Sequence, residues 1–291
     1  MAQLRTIVIT GASSGIGAAL TRALSGDGHR LFVCARRKER LAEVTDHGRL
    51  AAYRAVDVTD VPQMTDFAKM VANEAGTIDA LICCAGAYGS IGPAHAVDPE
   101  EWWRTVRGNL FGTFLAANRF VPLMQGSADA RMINFSGAGF GALANYSAYA
   151  SSKAGVVRLT ETMAAELKSL GITVNAVAPG FVKTEIHDAT IDAGPDLAGA
   201  AFYAMTKAKL AAGSVPIETE IECVRFLLSP AARGLTGKTI SAGVDPWRTP
   251  AFEERIEDIG RSDLYTMRRI DLTNLEDEDM VSALARASRE N

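Results

Sequence analysis

Residues 10–17 read Thr10-Gly-Ala-Ser-Ser-Gly-Ile-Gly17, directly after the apolar run 6–10 (TIVIT) and directly before a helical stretch over 16–25. Glycines at 11, 15 and 17 give the spacing G-x-x-x-G-x-G. Glycine lets the backbone turn tightly and come close to a charged group. A helix that starts at such a turn offers unpaired N–H groups and the positive end of its dipole, which suits a pyrophosphate. Strand, glycine-rich turn and helix in that order predict a dinucleotide site, with Gly11, Ser13, Ser14, Gly15, Ile16 and Gly17 as its candidate contacts.

Outward from this turn, short apolar or β-branched runs alternate with helical patterns. Strands are predicted over 6–10, 30–35, 51–56, 80–84, 131–136 and 173–178, with a last one near 238–242. Helices are predicted over 16–25, 37–44, 61–74, 99–124, 150–170 and 218–228. Such alternation builds a parallel sheet with helices on both faces and right-handed crossovers. The predicted fold class is therefore α/β, a Rossmann-type doubly wound parallel sheet of about seven strands, with a C-terminal helical tail. One domain is expected over 1–245. Within it, 185–215 is too long for a simple connection and reads as a substrate lid carrying Phe202, Tyr203 and Met205. Residues 246–291 read as an extension with Trp247, Tyr265 and a final helix around 276–289, where Met280, Val281 and Leu284 form an apolar stripe.

The 291 residues include 30 Lys and Arg against 34 Asp and Glu, a net charge of −4. Nucleic acid and anionic lipid both need a basic face, so neither is expected as a partner. The four histidines (His29, His47, His95, His187) and four cysteines (Cys34, Cys83, Cys84, Cys223) lack ligand spacing, so no metal and no disulfide framework are expected. No apolar run approaches the roughly 18 residues of a membrane span. Met1-Ala-Gln-Leu-Arg5 leads straight into a strand-like run, and the expectation is a reduced, cytoplasmic protein.

The end of the second strand reports on the dinucleotide. A carboxylate there would hold the ribose 2′-hydroxyl of NAD. This chain instead has Ala35 followed by Arg36, Arg37 and Lys38, with Arg40 beyond. Guanidinium groups clamp a 2′-phosphate bidentately, so NADP(H) is the expected cofactor. Arg36 is the foremost candidate and Arg37 the second, while the rest of the run reads as a solvated helix face.

Tyr149 and Lys153 stand four apart in a helical pattern, so phenol and ammonium project into the same space. A neighbouring cation favours phenolate, which would bring the phenol pKa down from about 10 and make Tyr149 a general acid or base. Ser136, thirteen residues upstream, falls at the carboxyl end of a predicted strand, where ligands of open α/β sheets bind.

These pieces together resemble the short-chain dehydrogenase/reductase family, in its shorter single-domain branch. The matching motifs are TGASSGIG at 10–17, Asp57-Val58, Ala85-Gly86, Asn109 in RGNLFGTF, Ser136, YASSK at 149–153 and NAVAPG at 175–180. They run in family order over residues 5–245. The resemblance implies that Tyr149 transfers the proton, while Lys153 lowers its pKa and holds the nicotinamide ribose. It implies that Ser136 binds the carbonyl and that Asn109 anchors a water linking Lys153 to solvent. Asp57 and Val58 would contact adenine, and Ala85-Gly86 would pass beside the ribose and diphosphate. Pro179, Gly180, Val182 and Thr184 would flank the nicotinamide. The implied activity is NADP(H)-dependent hydride transfer between nicotinamide and a small carbonyl or alcohol. A catalytically silent NADP-binding sensor or scaffold, and a sugar-modifying enzyme of the same fold, are the alternatives. The helices around 99–124 and after Tyr149 resemble those that pair in the family, which implies a homo-oligomer, a dimer or tetramer.

Three departures stand out. Cys83-Cys84 replace two asparagines, which read as packing thiols in a less rigid loop. Gly137 follows Ser136 where a second serine is common. Ser241-Ala-Gly-Val-Asp245 replaces an Asp-Gly-Gly ending, which puts the family's common tetramer in doubt.

Overall fold

The computed structural model describes residues 4–45, 50–137 and 141–268, with backbone only at 50 and 51. Seven parallel strands form one sheet in the order β3-β2-β1-β4-β5-β6-β7. These are β1 (Thr6–Thr10), β2 (Arg30–Ala35), β3 (Leu50–Ala55), β4 (Ala80–Cys83), β5 (Arg131–Phe135), β6 (Thr173–Ala178) and β7 (Thr239–Ser241). Helices cover both faces, so the central strands are apolar on both sides: Ile7, Val8 and Ile9 are all fully buried. Consecutive residues of β1 feed two different cores, Ile7 and Ile9 on one face and Val8 on the other. Strand order reverses between β1 and β4, and in an open α/β sheet the ligand crevice lies at such a reversal, outside the carboxyl ends of the strands.

The predicted strands all form, with ends shifted by a residue or two. The predicted helix over 99–124 is corrected. It consists of α4 (Pro99–Val106), a π-helical turn (Arg107–Phe111) and α5 (Gly112–Met124). The cause lies elsewhere in the chain: the Asn109 amide is tied to the backbone of Ala87, accepting from its N–H and donating to its carbonyl, both at 2.9 Å. A wide turn that aims one side chain is a common use of the π-helix. The other helices before the lid are α1 (Gly15–Gly26), α2 (Lys38–Thr45), α3 (Val61–Ala75) and α6 (Ser147–Glu166). Asp60 and Asp98 cap α3 and α4, each accepting a first-turn N–H at 2.9 Å.

The stretch expected as a lid is helical. A 3₁₀ turn (Glu185–His187) leads into α7 (Asp188–Ala198), broken at Gly194, and α8 (Ala200–Ala212). Then α9 (Ile217–Leu228) returns to the sheet. The expected extension starts as part of the main core. Trp247, with Phe252 of α10 (Pro250–Glu254) and Ile256 and Ile259 of α11 (Ile256–Arg261), shares one apolar cluster with β1 and α9. Backbone of Tyr265 then reaches β7, accepting from Thr239 N–H at 2.8 Å. Ser241 N–H donates to Asp245 at 2.6 Å. The helix expected around 276–289, with Met280, Val281 and Leu284, lies outside the described residues, as does His47.

At the opposite end of the sheet from the crevice, Asp129 gathers Arg5 (2.5 Å), Arg131 (2.7 Å) and Arg233 (3.4 Å). Burial pushes its carboxyl pKa up, but the guanidinium groups outweigh this and hold it below the usual range. Arg5 and Arg131 are themselves buried.

Candidate active site

The glycine turn expected to hold phosphate lies between the carboxyl end of β1 and α1. A Cβ at Gly17 would stand 2.9 Å from the Gly11 carbonyl carbon, so only glycine lets α1 start this close to the strand. Ser13 is buried and Ser14 half-buried beside it. Thr184 packs across Gly15, 3.3 Å from where its Cβ would stand. Pro179 and Gly180 follow β6 directly, and Val182 pairs with Val215.

At the end of β2 the arginines divide. Arg37 turns back to the phosphate turn, where its Nη2 donates to Ser14 Oγ at 2.7 Å and lies 3.4 Å from Ser13 Oγ. Arg37 and Arg40 both ion-pair with Glu185, the first residue of the 3₁₀ turn that leads into α7. Both guanidinium groups remain close to half exposed while making these pairs. Arg36 is exposed and makes no side-chain hydrogen bond among the described residues. At the end of β3, Asp57 is held by its own turn, accepting from the N–H and hydroxyl of Thr59 at 2.8 Å each. Val58 packs beneath α5 at Gly112.

Ser136, Tyr149, Lys153 and Asn109 come together at the crevice, all nearly closed off from solvent at 3%, 8%, 4% and 1% exposure. Ser136 leaves β5 with its hydroxyl donating to the Val177 carbonyl at 3.2 Å. Lys153 Nζ donates to the Phe135 carbonyl at 2.8 Å and lies 5.9 Å from the Tyr149 ring centroid. Asn109 donates to Ser152 Oγ at 2.9 Å, which fastens the π-turn to α6 one residue from Lys153. Lys153 Nζ and Asn109 Oδ1 meet over Gly86, each 3.2 Å from its would-be Cβ. Gly137 explains its own identity: a Cβ there would stand 3.1 Å from Tyr149 Cζ and 3.4 Å from Lys153 Cγ.

The electrostatics correct one expectation. Burial dominates at Tyr149 and pushes the phenol pKa up to about 12, instead of the cation pulling it down. Burial also lowers Lys153 to about 8. Burial pushes the Cys83 thiol up to about 12, and Cys84 well above the ordinary range, against the pull of Lys153. Neutral thiols of this kind pack and do not react.

Two aromatic residues escaped the sequence reading. Tyr88 sets its ring edge-on against Tyr149, centroids 4.8 Å apart. Its hydroxyl lies 3.2 Å from His187 Nδ1, while His187 Nε2 lies 3.0 Å from the Val182 carbonyl. A carbonyl only accepts, so Nε2 carries the proton and Tyr88 donates to Nδ1. Burial lowers the His187 pKa, consistent with a neutral ring. The signal available for Tyr88 was its place, two residues past Gly86 in the loop at the strand-order reversal. Nothing local marked His187.

Fold and site define a dinucleotide-dependent oxidoreductase of the open α/β class. Residues 5–193 match the model of the short chain dehydrogenase family, and the chain belongs to that family. A Streptomyces coelicolor protein provisionally named a ketoacyl reductase is 33% identical over 246 residues, 80% of this chain and 94% of its own length. A cis-4-hydroxycyclohexanecarboxylate dehydrogenase from Sinomonas cyclohexanicum is 32% identical over 245 residues, 81% of this chain and 94% of its own. The solved structure of a single-substitution variant of actinorhodin polyketide ketoreductase with NADPH superposes with a TM-score of 0.73 at 30% identity, covering 83% of this chain and 97% of that one. The chain is thus an oxidoreductase of the kind that acts on CH–OH and C=O groups. No described helix is long and apolar enough to cross a membrane.

Proposed function

We propose that this enzyme is an NADP(H)-dependent ketoreductase. It transfers hydride between nicotinamide and a small carbonyl or alcohol, with ketoacyl and cyclic ketones as the substrate classes that its relatives suggest. The carrying observation is the convergence of Ser136, Tyr149 and Lys153, all buried, beside the glycine turn at the reversal of strand order.

The residues present fit the dinucleotide. The close-packed turn at Gly17 leaves the N-terminus of α1 open to a diphosphate, and Arg37 is already fastened to Ser14 where a 2′-phosphate would arrive. Gly11, Ser13, Ser14, Gly15, Ile16 and Gly17 would hold the diphosphate, Arg36 and Arg37 the 2′-phosphate, and Asp57 and Val58 the adenine. Ala85-Gly86 would line the ribose, and Pro179, Gly180, Val182 and Thr184 the nicotinamide. When bound, the cofactor supplies or accepts the hydride.

The chain's own residues handle the proton. Tyr149 keeps its proton at neutral pH and gives it to the substrate oxygen as alkoxide charge develops. Ser136 redirects its hydroxyl from Val177 to that oxygen and fixes its position. Lys153 holds the ribose and supplies positive charge beside the phenol. Asn109 positions Lys153 through Ser152 and the loop at Ala87. Residues 185–215 act as the lid of a domain spanning 1–245, with 246–291 as its extension. A cytoplasmic homo-oligomer fits the net charge and the exposed Trp103 and Phe114 on α4 and α5.

Calorimetric titration with NADPH and NADH, followed by NADPH consumption with a β-ketoacyl thioester and a cyclic ketone, tests this reading. NADPH should bind the tighter and turnover should vanish in Tyr149→Phe with NADPH binding retained. Equal affinity for the two cofactors overturns the 2′-phosphate clamp. Surviving turnover removes the phenol from the reaction.

A further inference from the structure

Glu185 opens the lid, yet its side chain lies on the cofactor half of the molecule. One carboxylate oxygen, Oε2, is 3.3 Å from Arg37 Nη1 and the other, Oε1, pairs with Arg40 Nη1. Arg37 uses its second terminal nitrogen for Ser14 and Ser13 of the phosphate turn. Three segments distant in sequence, the phosphate turn, the start of α2 and the first turn of the lid, thus meet on one pair of guanidinium groups. An anion with two oxygens on two guanidiniums is the arrangement that a phosphate adopts in an arginine cluster.

We propose that Glu185 occupies the adenosine 2′-phosphate position, so that NADP(H) enters by displacing it and NAD(H) does not. This rests on the NADP(H) reading above. The two anions cannot share Arg37 at close range without repelling each other. The phosphate carries more negative charge than the carboxylate and offers three acceptor oxygens, so it wins the exchange. Displacement cuts the ionic tie between the lid's first turn and α2. The bare 2′-hydroxyl of NADH lacks the charge to compete, and leaves the tie in place. Glu185 therefore weakens NADP(H) binding selectively and couples the phosphate to the freedom of the lid.

All three side chains are close to half exposed, so each ion pair is worth little and is sensitive to salt. The expected effect of removing the carboxylate charge is accordingly modest, about two- to fivefold in affinity.

The test is calorimetric titration of the full chain and of Glu185→Gln with NADPH, NADH and adenosine 2′,5′-bisphosphate at low and high salt. Support requires NADPH and the bisphosphate to bind about two- to fivefold tighter to Glu185→Gln at low salt, a gain that shrinks as salt rises. NADH should bind both proteins alike. An equal gain for NADH, no change, or weaker NADPH binding in Glu185→Gln overturns the competition. The unsubstituted protein separates the two readings: if it prefers NADH, the NADP(H) assignment falls and the competition with it. If it prefers NADPH and Glu185→Gln changes nothing, only the competition falls.

Discussion

Gly137 and Tyr149 share one space. The phenol stands where a side chain on residue 137 would begin, with Cζ 3.1 Å from the missing Cβ. Tyr88 closes the ring from another side at 4.8 Å between centroids. The phenol has little room to yield.

Gly137→Ala should therefore shift the phenol and lower kcat by about tenfold or more, since small misplacements at a reacting centre are costly. NADPH affinity should change less than kcat, because the crowding falls on the Tyr149 ring at 3.1 Å and leaves Lys153 Cγ at an ordinary 3.4 Å. Steady-state kinetics and a binding titration on the same protein check this. Unchanged kcat would show that the ring yields freely.

The pH profile should follow the two buried groups. Tyr149, raised to about 12, remains a proton donor across the working range. Lys153, lowered to about 8, loses its charge above that pH. For ketone reduction, kcat/KM should be level through neutral pH and decline above about 8. Alcohol oxidation, which needs a phenolate, should rise with pH. Reduction that quickens between pH 8 and 10 would contradict this assignment.

Glu220, on α9, is fully buried, and neither carboxylate oxygen finds a hydrogen-bond partner among the described residues. Burial raises its pKa from 4.5 to about 8, against a weaker pull from Arg248. The folded chain keeps a proton there that the unfolded chain releases, so stability falls as pH rises from about 4.5 to about 8. Glu220→Gln should remove roughly 2–4 kcal/mol of that decline. Thermal melts of both proteins at pH 5 and 8 measure it, and parallel slopes would refute it.

Asp129→Asn leaves Arg5 and Arg131 buried without a counter-charge. A loss of about 3–5 kcal/mol in urea unfolding is expected, the cost of breaking a buried ion pair from one side. Catalysis should be untouched in the folded fraction, since this cluster sits at the far end of the sheet. A loss under about 1 kcal/mol would mean that water reaches the arginines.

The architecture was legible because it is written locally. Apolar runs such as Thr6–Thr10 and the glycine turn after them carry their structure in adjacent residues. The Tyr149–Lys153 spacing likewise places two groups on one helix face whatever surrounds them. The π-turn at Asn109 was not legible, because its cause is the backbone of Ala87, twenty-two positions away. The contacts of Arg37 were not legible for the same reason: its partners, Ser14 and Glu185, reach it only in the fold. The direction of the Tyr149 shift was not legible, because sequence reveals a neighbouring cation and hides how dry the site is.

The edge of the sheet at β7 has both outward N–H groups taken, one by the Tyr265 carbonyl and one by Asp245. An exposed strand edge is a template on which another chain can lay down its own strand. Residues 246–265 therefore act as a seal as well as packing. A chain cut after Asp245 would bare the Thr239 donor together with the apolar surface beneath Trp247, Phe252 and Ile256. Such a product should scatter light and precipitate on concentration while its catalytic groups remain encoded. In the intact protein this edge is closed to strand addition by a second chain.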